Sequence, residues 1–150
     1  MLDRLAASVG ELLHGGAVTP QQEVLVETLF GLMGHLAGTD SIVTSEEAAF
    51  ANALMQELDL PAYAAELARE AFQAGRRREL DVDTRVQAFV AIYPAGSDTA
   101  ARLFEAVLHL AVADQRMRPG ERLFLEQVGA RLGFDRDALD RRLAAMQETS

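Results

Sequence analysis

The sequence predicts an all-α fold of seven or eight helices, organised as two pseudo-symmetric three-helix units packed together. Three observations carry this. Apolar residues recur at helical spacing along most of the chain, and no segment alternates with period two for long enough to make a strand. Helix-opening signals recur: Thr19-Pro20-Gln21-Gln22 and Thr44-Ser45-Glu46-Glu47 both read as capping boxes, and Pro119 suits a first helical position. The chain also matches itself at an offset of 74 residues without a gap. Leu29-Phe30 meets Leu103-Phe104, His35-Leu36-Ala37 meets His109-Leu110-Ala111, Asp40 meets Asp114, Glu47 meets Glu121, Phe50 meets Phe124 and Leu58 meets Leu132.

The first helix is expected over 2–13, where Leu2, Leu5, Ala6, Val9, Leu12 and Leu13 share a face. His14-Gly15-Gly16 breaks it. The second, about 20–39, is apolar on nearly every side and should lie centrally. Helices of about 45–58 and 61–74 follow. The polar run Gly75 to Asp83, with Arg76-Arg77-Arg78, reads as a solvated connector that could also answer an acidic partner. Asp83 is expected to cap a short helix over 84–93, which Pro94 stops. Helices of about 99–113, 119–132 and 135–147 complete the set. The internal repeat thus covers 29–74 and 103–148, within one domain spanning 1–150. Phe30, Leu36, Phe104 and Leu110 are expected to form the contact between the units, because neither unit alone can cover its first helix.

About half of the residues are apolar and the net charge is −9. Residues 1–75 carry eleven Asp and Glu against Arg4 and Arg69, whereas residues 76–150 balance twelve acids with twelve arginines. An acidic half disfavours duplex nucleic acid and anionic membrane surfaces. No apolar run approaches the ~18 residues that span a bilayer, and the start lacks a basic, then apolar, leader pattern. Without cysteine there is no disulfide, thiolate chemistry or Cys-ligated zinc. Cytoplasmic residence is the expectation. No Gly-rich phosphate loop, His-Glu-x-x-His or credible Ser-His-Asp set occurs, so the reading is a binding module and not an enzyme. Glu11-x-x-His14 has the spacing of a di-iron ligand pair, but occurs once beside two glycines, and such sites need two copies plus two further glutamates.

The segment Leu32 to Leu60 carries a family resemblance. Its Gly34, His35, Leu36, Ala37, Asp40, Val43 and Glu47 fit the pattern Gly-His-Leu-Ala-x-x-Asp-Gly-x-Val-x-x-x-Glu. This resembles the TerB-like tellurite-resistance family and, within it, the N-terminal domain of DjlA-type co-chaperones. Phe72 to Asp83 is similar to the connection between units in that domain, and Leu110 to Phe134 to the second Asp…Glu loop. The resemblance covers about 27–146 and implies a TerB-like helical fold, protein partners in a stress or co-chaperone context, and a link to metal stress. The membrane helix and J domain of DjlA-type proteins find no counterpart, nor does the His-Pro-Asp tripeptide of a J domain, so J-domain activity is not carried over. The family glycine after each Asp is Ser41 in one loop and Gln115 in the other.

Two readings of the Asp…Glu loops follow. Asp40 and Asp114 stand just past helix C-termini, where the dipole disfavours an anion by about 0.3–1 kcal/mol. Loop N–H groups bonded to a charged acceptor, worth about 1.5–3 kcal/mol each, offset that without a metal. Glu47 and Glu121 hold third positions of helices, where a Glu closes a capping box. The structural reading therefore accounts for all four. The alternative is a divalent-cation site with Asp40, Glu47, Asp114 and Glu121 as ligands, helped by Ser41, Thr44 and Glu46. Calcium takes six to eight oxygens, more than one Asp and one Glu per loop provide. No other cofactor is implied. His35 and His109, inside apolar helices, read as hydrogen-bonded interior residues. The partner expected is a protein, with a homodimer among the options.

Overall fold

The computed structural model describes residues 2–13, 19–38, 45–112 and 119–148. Within them the chain forms eight α-helices and no strand: α1 (Leu2–Gly10), α2 (Pro20–Ala37), α3 (Ser45–Leu58), α4 (Ala62–Arg76), α5 (Val82–Ile92), α6 (Asp98–Ala111), α7 (Pro119–Leu132) and α8 (Arg136–Glu148). A 3-10 turn, Glu11–Leu13, extends α1. The expected all-α architecture is present.

Local chemistry sets the helix starts. Thr19 caps α2 as a full capping box: its Oγ1 accepts from the Gln22 N–H at 3.2 Å, and the Gln22 side chain accepts from the Thr19 N–H at 2.9 Å, with Pro20 at the first helical position. Ser97 caps α6 through the Ala100 N–H, and Asp135 caps α8 through the Ala138 N–H at 2.8 Å. The expected cap of α5 is corrected. Asp81, not Asp83, accepts the Thr84 N–H at 3.1 Å, which holds its carboxyl below the usual range. Asp83 is the second residue of α5, within its first turn, and pairs with Arg131 of α7 at 3.1 Å. Asp81-Val82-Asp83 offers two cap residues two apart, and the earlier one also places a carboxylate in the first turn, where the dipole favours it.

Helices α2 and α6 form the centre. Between them Leu25, Leu29, Phe30, Leu32, Met33 and Leu36, then Leu103, Phe104, Leu108 and Leu110, are all 1 % exposed or less. The expected contact residues Phe30, Leu36, Phe104 and Leu110 are therefore all core. Fully burying each such side chain is worth about 1.5–3 kcal/mol. A single apolar cluster draws on all eight helices.

Each short leading helix reaches across to the opposite central helix. Helix α1 packs on α6 and α3, and α5 packs on α2 and α7. Polar ties follow the same routes. Arg102 of α6 donates to the Ser8 carbonyl at 2.9 Å and to Glu11 at 2.6 Å, and Arg85 of α5 pairs with Glu27 of α2 at 2.9 Å.

Among the described residues the α2–α4 contact is the most extensive between any two helices. Gly31, Gly34 and Gly38 line one edge of α2, and Gly75 faces them from α4. A Cβ at Gly34 would overlap the Phe72 carbonyl, and one at Gly75 would overlap the Gly31 carbonyl. A Cβ at Gly38 would stand 2.6 Å from the Arg76 oxygen. Those atoms are backbone and cannot swing aside, so only glycine lets the two helices approach this closely.

Candidate functional site

The C-terminal ends of α2 and α6 lead into the two Asp…Glu loops. Asp40, Asp114 and the Glu47 side chain lie outside the described residues, as do the Thr44 cap and the positions after each Asp. The flanks are defined. Helix α2 closes at Gly38, whose N–H bonds the Gly34 carbonyl at 3.0 Å. Helix α6 closes at Val112, whose N–H bonds the Leu108 carbonyl at 3.1 Å. Glu121 is the third residue of α7 and only 3 % exposed. A buried carboxylate there suits the positive end of the helix dipole. Among the described residues no three His, Asp or Glu side chains gather as a metal cluster.

His35 sits one turn before the first loop. Its ring stacks on Phe124 of α7, with centroids 4.7 Å apart and planes 29° from parallel. Arg78, from the far end of α4, reaches back so that its Nη1 lies 3.1 Å from His35 Nε2, while its Nη2 donates to the Gly38 carbonyl at 3.2 Å. Arginine can only donate, so Nε2 accepts and the neutral ring carries its proton on Nδ1. Burial, and next the Arg78 charge, hold the His35 pKa below its ordinary value. His35 is thus a neutral acceptor joining both units, with its Nε2 engaged by Arg78.

That contact changes the reading of Arg76-Arg77-Arg78. Arg76 ends α4 and Arg77 caps it. Arg78, with φ of 64°, turns the chain so that its guanidinium clamps the end of α2. A left-handed arginine costs about 1–2 kcal/mol, which two hydrogen bonds offset. The partner of Arg78 is 43 residues away, so no local pattern could have revealed it.

His109, the residue 74 positions after His35, has different surroundings. Burial lowers its pKa too, but its ring lines an open cleft bordered by α1, α6 and α8, together with Arg4, Ser8, Glu105 and Arg142. Arg142 pairs weakly with Glu105 at 3.6 Å and lies 4.4 Å above the Phe134 ring. Phe134 itself stacks on Phe104 at 5.4 Å. Among the described residues the exposed large apolar side chains are Tyr63 on α4 and Leu123 on α7.

Two buried central helices, each ending at an Asp…Glu loop and each crossed by a helix from the other half, define a class of all-helical module. The family model for the tellurite resistance protein TerB matches residues 27–144. The chain belongs to the TerB family. It is also similar to co-chaperone proteins DjlA. That of Vibrio parahaemolyticus is 31 % identical over 150 residues, 99 % of this chain and 52 % of that protein. That of Vibrio vulnificus strain CMCP6 is 32 % identical over 138 residues, 91 % and 47 % of the two. That of Shewanella oneidensis is 28 % identical over 141 residues, 94 % and 53 %. The chain spans about half the length of these curated relatives. No solved structure matches. Among the described residues no helix is long and apolar enough to cross a membrane.

Proposed function

We propose that this chain is a non-enzymatic TerB-family module that works by binding another protein in a stress or co-chaperone setting in the cytoplasm. The observation that carries the reading is the similarity to DjlA co-chaperones, which runs along 99 % of this chain and so bears on the whole of 1–150 as one domain. Leu123 on α7 supplies a candidate contact, an exposed leucine on the helix whose Gln127, Ala130 and Arg131 line a shallow cleft with Asp83 of α5. Apolar anchors of this kind contribute most where a partner excludes water from them. A homodimer through this face belongs to the same proposal.

One observation favours a second reading. Glu121 is a buried carboxylate in the first turn of α7, the helix that follows the second loop, and the second reading makes it a ligand of a divalent cation together with Asp40, Glu47 and Asp114. One pair of measurements separates the two. Proximity labelling in cells with the wild type and with Leu123→Glu should give a defined protein set that the variant loses. Thermal melts with chelator and then millimolar calcium or magnesium should coincide. An ion at 100 times its Kd would add about 2.7 kcal/mol to the folded state. A shift of that size, abolished by Asp40→Asn and Asp114→Asn and accompanied by no Leu123-dependent partner, would replace the first reading with the second.

A further inference from the structure

The offset of 74 pairs Gly31, Gly34 and Gly38 with Glu105, Leu108 and Val112. Those side chains deny α6 the close approach to α8 that the glycines give α2 on α4. The result is a cleft of about 520 Å³ where the first half has a sealed contact. That volume falls in the range of small-molecule sites, roughly 300–1,000 Å³. Its α6 and α8 walls are the offset partners of sealed positions: Glu105 of Gly31, His109 of His35, Arg142 of Ala68, Met146 of Phe72.

The lining chemistry is specific. Leu5 and Met146 offer apolar surface, and Arg4, Arg142, Ser8 and His109 offer polar groups. Arg4 has no ion-pair partner among the described residues. The Arg142 guanidinium is fixed on the Phe134 face. Its Nε is buried and reaches only the long 3.6 Å ion pair with Glu105, and His109 Nδ1 is buried with no hydrogen-bond partner among the described residues. Buried polar atoms without a hydrogen bond are uncommon. Two arginines against the one Glu105 leave the lining net positive in a chain of net charge −9, which favours an anionic ligand. A dianion would meet Glu105.

We propose that the cleft between α1, α6 and α8 binds a small monocarboxylate, its carboxylate held by Arg4 and Arg142 and its short apolar tail packed on Leu5 and Met146. Arginine presents paired donors that suit a carboxylate. This site is independent of the Leu123 face and of the Asp…Glu loops, so it stands or falls separately from the function proposed above.

The test is an amide NMR titration of the full chain with hexanoate, hexanamide and inorganic phosphate. Hexanoate should give saturable shifts centred on Ser8, Glu105 and Ala145. Hexanamide should bind about tenfold more weakly or worse, the worth of one charged hydrogen bond, and phosphate no better than hexanamide. Arg142→Met keeps an apolar stem over Phe134 and Arg4→Ala changes an exposed residue, so both should fold. Each should weaken hexanoate by about tenfold. An acetylated dipeptide ending in a free leucine carboxylate distinguishes a chain terminus from a free acid: tighter binding than hexanoate assigns the former, weaker binding the latter. Equal binding of hexanoate and hexanamide, tighter binding of phosphate, shifts elsewhere, no saturation in the millimolar range, or no effect of either arginine variant overturns the proposal.

Discussion

Helices α2 and α4 lie backbone against backbone, whereas α6 and α8, which carry the corresponding stretches of sequence, stand apart around a cleft. The difference comes from a few side chains. Gly34 and Gly75 bring one helix pair close enough that a Cβ would strike a carbonyl. Glu105 and Leu108 take the places of Gly31 and Gly34 in the second half and keep its helices apart. Two stretches that match at an offset of 74 residues do not share their packing. One half is a sealed scaffold, with His35 clamped by Arg78 and stacked on Phe124. The other holds an arginine-lined opening beside His109.

The largest effect that could break this comparison is at Gly34. Gly34→Ala should destabilise the fold by about 3 kcal/mol, because a backbone carbonyl must move to admit the methyl group. Glu105→Ala, at the place of Gly31, removes a half-exposed side chain and a long ion pair, and should cost under about 0.5 kcal/mol. Chemical denaturation of both variants checks the pair. Similar costs would mean that the two contacts are equivalent after all.

A smaller effect is expected from the histidines. Both have folded-state pKa values below the ordinary 6.5, set mainly by burial. Between 6.5 and the lowered value the unfolded chain binds more protons than the folded one, so stability rises with pH across that window and levels off above it. Melting temperature should therefore fall as pH drops from 7 into that window. His35→Gln and His109→Gln should each remove part of the slope. An unchanged slope in both would assign it to other groups.

The smallest effect concerns two helix ends. Helix α7 closes with Gly133 at φ 96°, while the residue 74 positions earlier, Asp59, takes φ 49° without being glycine. Asp59→Gly should stabilise the protein by about 0.5–1 kcal/mol, net of the entropy glycine adds to the unfolded chain. A loss of stability would show that the Asp59 side chain contributes more than its conformation costs.

Much of the fold was legible because its signals are local. The Thr19 capping box, the span of α3 and α7, and the all-round apolarity of α2 all follow from residues close in sequence. The α5 cap was misplaced because Asp81 and Asp83 compete and only the fold decides. The glycine contact left a readable trace, Gly31, Gly34 and Gly38 along one edge of an otherwise large-residue helix, with Gly75 to receive them. The cleft left none. It depends on α1 returning over α6 to bring Arg4 and Ser8 beside Arg142, across more than a hundred residues of sequence. The clamp of Arg78 on His35 was hidden for the same reason.

Native-state hydrogen exchange tests the contrast between the halves most directly. Amides of 68–72 in α4 should exchange only with global unfolding, and amides of 142–146 in α8 through local opening, with protection about tenfold lower or less. Gly34→Ala should bring 68–72 down towards the level of 142–146, which terminal fraying of α8 alone would not do. Equal protection of the two segments in the wild type, or no response of 68–72 to Gly34→Ala, would contradict a sealed first half and an open second one.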